Sequence, residues 1–327
     1  MTKEEDKDKP EYLFSNIDEV FEHIHNSGWT GIHTLAYTCP VFEAMEMEKD
    51  WMVYAPMPMH PLFRGERLYH DVCKPSLYRR SWTEAQKLER LVQIEDFKHI
   101  LDDNPEIKEL KQGNLHVNYM GLAQHYGIET DMLDLTNSPL VAAYFATTEY
   151  DSLKDEYRPV EDYVSIGCIY FDTIGTLGNM MLTGERGNIY PVGMEALRRP
   201  GEQRGFTIKL GETDNLNTIP AHPIRFRFIQ NKQCSYRIFQ ATNGGRIFFP
   251  YDPMAEKVRI MRKYMIYGED SLLIVVENEK SRSYTYSEAL KLLSDSGCSF
   301  EETTPFLYTS KEKRYINEKY HKKFPNA

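Results

Sequence analysis

The sequence contains no apolar run near the roughly 18–20 residues that a membrane-spanning helix needs. Its apolar runs, such as Leu272–Val276, are the size of a strand. Its first residues lack an apolar stretch of signal-peptide type, so residues 1–14 read as a disordered, solvated tail. Cysteine is scarce and scattered: Cys39, Cys73, Cys168, Cys234 and Cys298 are odd in number and form no Cys-x-x-Cys pair. That excludes the usual zinc knuckle and disulfide framework, and it points to a reducing, cytoplasmic setting. Neither a Walker lysine loop nor a G-x-S-x-G nucleophile elbow is present, so two large enzyme classes drop out. Cations are in the minority, 39 Lys+Arg against 49 Asp+Glu, a formal charge of 39 − 49 = −10. Nonspecific nucleic-acid affinity comes from neutralising phosphates, so this balance argues against a nucleic-acid-coating protein. A nucleic-acid contact would have to come from Arg198, Arg199, Arg204 and the basic end, with Tyr315 and Tyr320 to stack on bases. No metal site is expected either. His23 and His25 face different sides of a helix, and His60 and His70, which flank Arg64, make no recognised ligand motif.

What remains is a chain of 327 residues, 41% hydrophobic, 13% aromatic and 27% charged, the composition of a globular protein with a sizeable core. Ser15-x-x-Asp18 resembles a capping box, and Ile17, Val20, Phe21 and Ile24 then share one helical face up to Gly28. Thr83-x-x-Gln86 opens a second helix, a third runs from about Leu115 to Tyr126 and stops at Gly127, and Ser138-Pro139 starts a fourth. Later segments read as strands: Val164–Phe171, Gly205–Leu210, Ile224–Ile229, Gly245–Phe249 and Leu272–Val276. Thr285-x-x-Glu288 begins a late helix, and Lys311–Lys323 has Tyr315, Ile316 and Tyr320 at helical spacing. Helices in the first half and an antiparallel or mixed sheet in the second predict an α+β fold.

Three segments carry chemistry. Arg64 closes the apolar stretch Pro61-Leu62-Phe63 ahead of Gly65, where a buried guanidinium needs a carboxylate or phosphate partner. Asp134 is a lone acid within Met132–Leu135, just before a helix start, where a carboxylate can face the positive helix end. Pairing of Arg64 with Asp134 and contact of either with a ligand both remain open. His125 lies in the last turn of its helix beside Gln124, and reads as a general base, a ligand donor or a histidine satisfied by a carbonyl. Gln203 and Gly205 open a strand on the same side, and the glycine permits close approach of a ligand or another backbone.

Together these segments resemble the FRG domain family. Phe63-Arg64-Gly65, Pro75–Arg79, Gln124–Gly127, Thr130, Leu133-Asp134, Thr136, Pro139–Ala146 and Arg199 with Gln203, Gly205 and Phe206 match its pattern in order. Glu129, Asp131 and Leu135 depart from it, and Asp131 reverses the charge of the family's arginine. The resemblance implies one FRG-like domain over 15–275, followed by a helical appendage over 276–327. The layout is also similar to that of arginine-type ADP-ribosyltransferases, which implies an ADP-ribosyltransferase-like fold and NAD as a candidate cofactor. In that layout an arginine at the station of Arg64 holds phosphates, a hydroxyl stands at Thr136, and the glutamate that stabilises the oxocarbenium ion falls at Gly205. The implied ligand-binding set is Arg64, Gly65, Gln124, His125, Tyr126, Asp134, Thr136 and Gln203, around a small anionic or nucleotide-like ligand. The competing expectation is a noncatalytic interaction module in which the same residues form a buried structural network.

Overall fold

A computed structural model describes residues 12–27, 43–47, 50–54, 61–112, 117–151, 154, 156–173, 189–193, 197–219, 223–278 and 284–321. The first elements are strand β1 (Tyr12–Phe14) and helix α1 (Ile17–Asn26). Tyr12–Phe14 therefore leave the expected tail and form an edge strand, while residues 1–11 lie outside the described residues. Asn16, one residue after the expected cap, accepts from the Asp18 and Glu19 backbone N–H groups. Ile17, Val20 and Ile24 then turn inward.

Two short strands, β2 (Glu43–Met47) and β3 (Asp50–Tyr54), form a hairpin ahead of β4 (Pro61–Glu66). The Thr83/Gln86 capping box forms as the spacing predicts and starts α2 (Glu84–Asp102). After α3 (Pro105–Gln112), α4 (Tyr119–His125) ends before Gly127, whose φ of +87° is the left-handed turn expected there. Strand β5 (Met132–Thr136) leads into α5 (Pro139–Thr147), capped by the Ser138 side chain with Pro139 in the first turn. Then come β6 (Thr148–Asp151), β7 (Glu156–Pro159), β8 (Ile166–Thr173), β9 (Ile189–Pro191), α6 (Arg198–Glu202) and β10 (Gly205–Lys209). The chain continues with β11 (Ile224–Ile229), α7 (Lys232–Ala241), α8 (Pro253–Tyr264), β12 (Ile266–Gly268), α9 (Glu269–Asn278), α10 (Tyr286–Asp295), β13 (Ser299–Glu301) and α11 (Ser310–His321).

Seven strands form one mixed sheet in the order β1-β11-β8-β4-β5-β10-β9. β1 runs parallel to β11, and the other pairings are antiparallel. Strand alternation gives the sheet two faces. Phe63, Ile169, Phe171, Phe226 and Phe228 pack with α1, α5 and α7 on one face. Leu62, Leu133, Leu135, Cys168, Tyr170, Phe206 and Ile208 line the other. A third cluster is helical, built on α2, α4, α8, α9, α10 and α11.

The fold is α+β, but the two kinds of element are interleaved along the chain rather than divided between its halves. Two expected strands are something else. Leu272–Val276 lies inside α9, where Ser271, Leu272 and Val275 are buried while Leu273 is 45% exposed, a helical rather than an alternating pattern. Gly245–Phe249 is a series of turns, since Asn243, Gly244 and Gly245 all have positive φ and Phe248 N–H bonds back to the Gly245 carbonyl. The boundary expected at 275/276 falls within α9. Beyond it, Ala289, Leu293, Tyr308 and Ile316 share one core with Leu88, Val92 and Phe97 of α2.

Candidate functional site

Strand β4 meets β5 at the pair Phe63↔Thr136, which fixes where each motif side chain points. Phe63 and Gly65 face α5, whereas Leu62, Arg64 and Glu66 face the opposite side. On β5, Leu133 and Leu135 lie on the face of Leu62, so Asp134 and Thr136 lie on the face of α4 and α5. The β5–β10 register (Thr136↔Gly205, Asp134↔Thr207) adds Gly205 and Thr207 to that face. The candidate residues are therefore divided between two faces of one sheet.

On the first face, the Arg64 guanidinium donates from Nε to Glu66 Oε1 at 2.9 Å, from Nη2 to the same oxygen, and from Nη1 to the Asp134 backbone carbonyl at 2.7 Å. Its side chain is 13% exposed and that of Glu66 is 21%. Burial works against the cation, but Glu66 and the neighbouring Cys73 and Asp134 together outweigh it and hold Arg64 above the ordinary arginine value. The carboxylate that Arg64 hydrogen-bonds is thus Glu66; Asp134 accepts through its carbonyl, and its carboxylate acts on the cation only by charge. Arg64 also borders a small cavity with Leu62, Leu135, Tyr170 and Asp172.

The second face has a continuous polar chain. Ser138 N–H donates to Thr136 Oγ1 at 3.0 Å, and that hydroxyl donates to the Gln203 carbonyl at 2.7 Å. The Gln203 amide donates to the Phe248 carbonyl at 3.2 Å, which leaves its oxygen to accept from His125 Nδ1 at 3.2 Å. His125 Nε2 faces Asp134 Oδ1 at 3.5 Å, with the imidazole 4% exposed and the carboxylate 37%. A Cβ on Gly205 would come within 2.7 Å of both Cε1 and Nε2 of that ring. The glycine is there because the imidazole lies against the strand.

The remaining candidates serve neighbouring joints. A Cβ on Gly65 would fall 1.9 Å from the Ala142 carbonyl, so this glycine lets α5 lie against β4. Gln124 Oε1 accepts from Ser76 at 3.3 Å and Thr130 at 3.0 Å, tying the Pro75–Arg79 segment to α4. The Tyr126 hydroxyl donates to Asp252 at 2.7 Å, which also accepts from the Arg199 N–H and caps α8. Burial, reinforced by Asp252, pushes the Tyr126 phenol well above its ordinary value. The Asp131 carboxylate, at the reversed-charge position, meets Lys209 at 3.4 Å. Of the cationic segment around Arg198, Arg198 lies 3.6 Å from Glu202 and Arg199 stacks over Phe249 at 4.9 Å. Tyr315 packs edge-on against Tyr251.

The structure thus brings His125, Asp134, Thr136 and Gln203 together, sets Gln124 and Tyr126 beside them, and separates Arg64 by the thickness of the sheet. Sequence reasoning missed Glu66, Ser76, Asp252 and Thr207. Glu66 was within reach of it, because two residues along a strand from Arg64 is the same face. Asp252 was not, being 126 residues from the tyrosine it meets.

Residues 59–155 match the family model described as the FRG domain. The matched span holds Arg64, Gln124, His125 and Asp134, and it ends before Gln203 and Gly205. No curated protein and no solved structure matches the chain.

Proposed function

Taking as premise that the chain is a member of the FRG domain family, we propose that it is a noncatalytic interaction module in which the motif residues brace the fold. One observation carries this reading: the hydrogen bonds that the motif side chains make run to other parts of the same chain. Arg64 spends its donors on Glu66 and the Asp134 carbonyl, and the His125 ring fills the space over Gly205. In the ADP-ribosyltransferase layout that space belongs to the glutamate side chain, and a carboxylate is what stabilises an oxocarbenium ion. Here an imidazole fills it, with the Asp134 carboxylate 3.5 Å from that ring. Cytoplasmic residence is part of the proposal. Cys73, Cys168, Cys234 and Cys298 are free and buried, as suits a reducing compartment. Among the described residues, no helix is long and apolar enough to cross a membrane.

The alternative, a small anionic or nucleotide-like ligand such as NAD or ADP-ribose held at Arg64, meets a cavity beside Arg64 and Tyr170 of about 10 Å³, room for a single water, so such a ligand would have to open it. Thermal unfolding separates the two. The interaction-module reading expects no rise in melting temperature with NAD, ADP-ribose or ATP, and a loss of several degrees in Arg64→Ala without any ligand. A ligand-dependent rise that Arg64→Ala abolishes, with the unliganded melting temperature unchanged, would establish the alternative instead.

A further inference from the structure

Away from the FRG motif, α2, α9 and the segment after β13 converge on a cluster of unlike ligand atoms. Asp96 and His99, three apart on α2, project from one helix face. Asp270 and Ser271 come from the first turn of α9, and Thr304 from the segment between β13 and α11. One ligand atom each from Asp96, His99 and Asp270 lie within 4.8 Å of one another. The two hydroxyls fill the spaces between them. Ser271 Oγ is 2.6 Å from Asp96 Oδ1, 3.2 Å from His99 Nδ1 and 3.2 Å from Thr304 Oγ1. Thr304 Oγ1 is in turn 3.1 Å from Asp96 Oδ1, 3.1 Å from Asp270 Oδ1 and 2.6 Å from His99 Nδ1.

Hydrogen bonding alone does not account for these approaches. Each hydroxyl has one proton, and His99 Nδ1 has at most one more. Three protons cannot serve six close approaches, so several bring lone pair against lone pair. Asp96 is 0% exposed, and its hydrogen-bond partners are two hydroxyls and the Gly268 N–H, with no cationic side chain. A positive charge at the centre removes both difficulties. Atoms that bind one ion at about 2.0–2.2 Å lie roughly 3.0–3.5 Å from each other, the spacing seen between most of these atoms.

We propose that Asp96, His99 and Asp270, with the Ser271 and Thr304 hydroxyls, form a binding site for a divalent metal ion of the Mn2+ or Zn2+ class. Two carboxylates with an imidazole suit these ions better than Ca2+, which takes oxygen ligands. The His99 and Asp270 side chains are 31% and 37% exposed and give the ion a way in, while Asp96 forms the floor. Because the ligands come from three elements distant in sequence, the ion fastens the C-terminal segment to α2. It stabilises the folded chain by binding that state alone.

The test uses the full chain, stripped with EDTA and titrated with MnCl2 or ZnCl2 by calorimetry and by thermal unfolding. One saturable site is expected, with a rise in melting temperature that EDTA reverses. Asp270→Asn and His99→Ala replace partly exposed side chains, so these variants keep the fold, and each should weaken binding by at least about tenfold. Glu109→Gln, an exposed acid on α3, should leave it unchanged. No saturable binding of either ion, or equal affinity in both ligand variants and the parent chain, overturns the proposal.

Discussion

A single methyl group tests the polar network at the residue scale. Gly205 lies under the His125 ring, and an added Cβ would sit 2.7 Å from two ring atoms, one of them the nitrogen that faces Asp134. Gly205→Ala must push the ring off the strand and loosen its bond to Gln203, so it should cost about 1–3 kcal/mol in chemical denaturation. A neutral substitution would show that the imidazole is not wedged there. Sequence alone went part of the way at this scale. A guanidinium at Arg64 demands a partner, and the demand was legible. The partner was not, because Asp134 and Glu66 both answer it and only the faces of β4 and β5 decide between them. The helix-end role expected for Asp134 falls instead to the Ser138 side chain, which caps α5.

At the scale of elements, local signals were the ones that could be read. Thr83 with Gln86 and Thr285 with Glu288 form capping boxes within four residues, and both appear as written in the sequence. Leu272–Val276 was misread because a short apolar run fits a buried helix as well as a strand, and the acidic first turn at Glu269 and Asp270 decides for the helix. The attachment of α11 makes a pH-dependent case. Glu312 accepts from the Thr309 N–H at 2.7 Å and from the nearly buried Lys257 ammonium at 3.0 Å. Burial raises its carboxyl, but the Thr309 and Lys257 bonds outweigh burial and hold it below its ordinary value of 4.5. A depressed carboxyl adds stability above its unfolded value, and that share is lost as pH falls through the folded value. Glu312→Gln should therefore be less stable than the parent at neutral pH, by about 1 kcal/mol. The gap should close in acid below pH 4.5. A gap that stays constant from neutral to acid would contradict the ion pair.

For the whole molecule, the sheet explains why one cleft was expected and two faces were found. Arg64, Gly65, Asp134 and Thr136 are neighbours on adjacent strands, but a strand sends alternate residues to opposite sides. Gln203, expected to open β10, instead ends α6 just before it. Composition could announce a globular α+β chain with a net charge of −10, yet no local pattern reveals that residues beyond 275 share a core with α2. On this account the arginine of the FRG motif ties β4 to β5 through the Asp134 carbonyl, with its charge balanced by Glu66 on its own strand. The most direct test is a double-mutant cycle on that pair, measured by equilibrium unfolding of the full chain. Arg64→Ala should lose about 2–3 kcal/mol, less than a fully buried pair because Glu66 keeps some exposure. Arg64→Ala and Glu66→Ala should also be coupled by at least about 1 kcal/mol. Two variants as stable as the parent, with no coupling between them, would contradict the account.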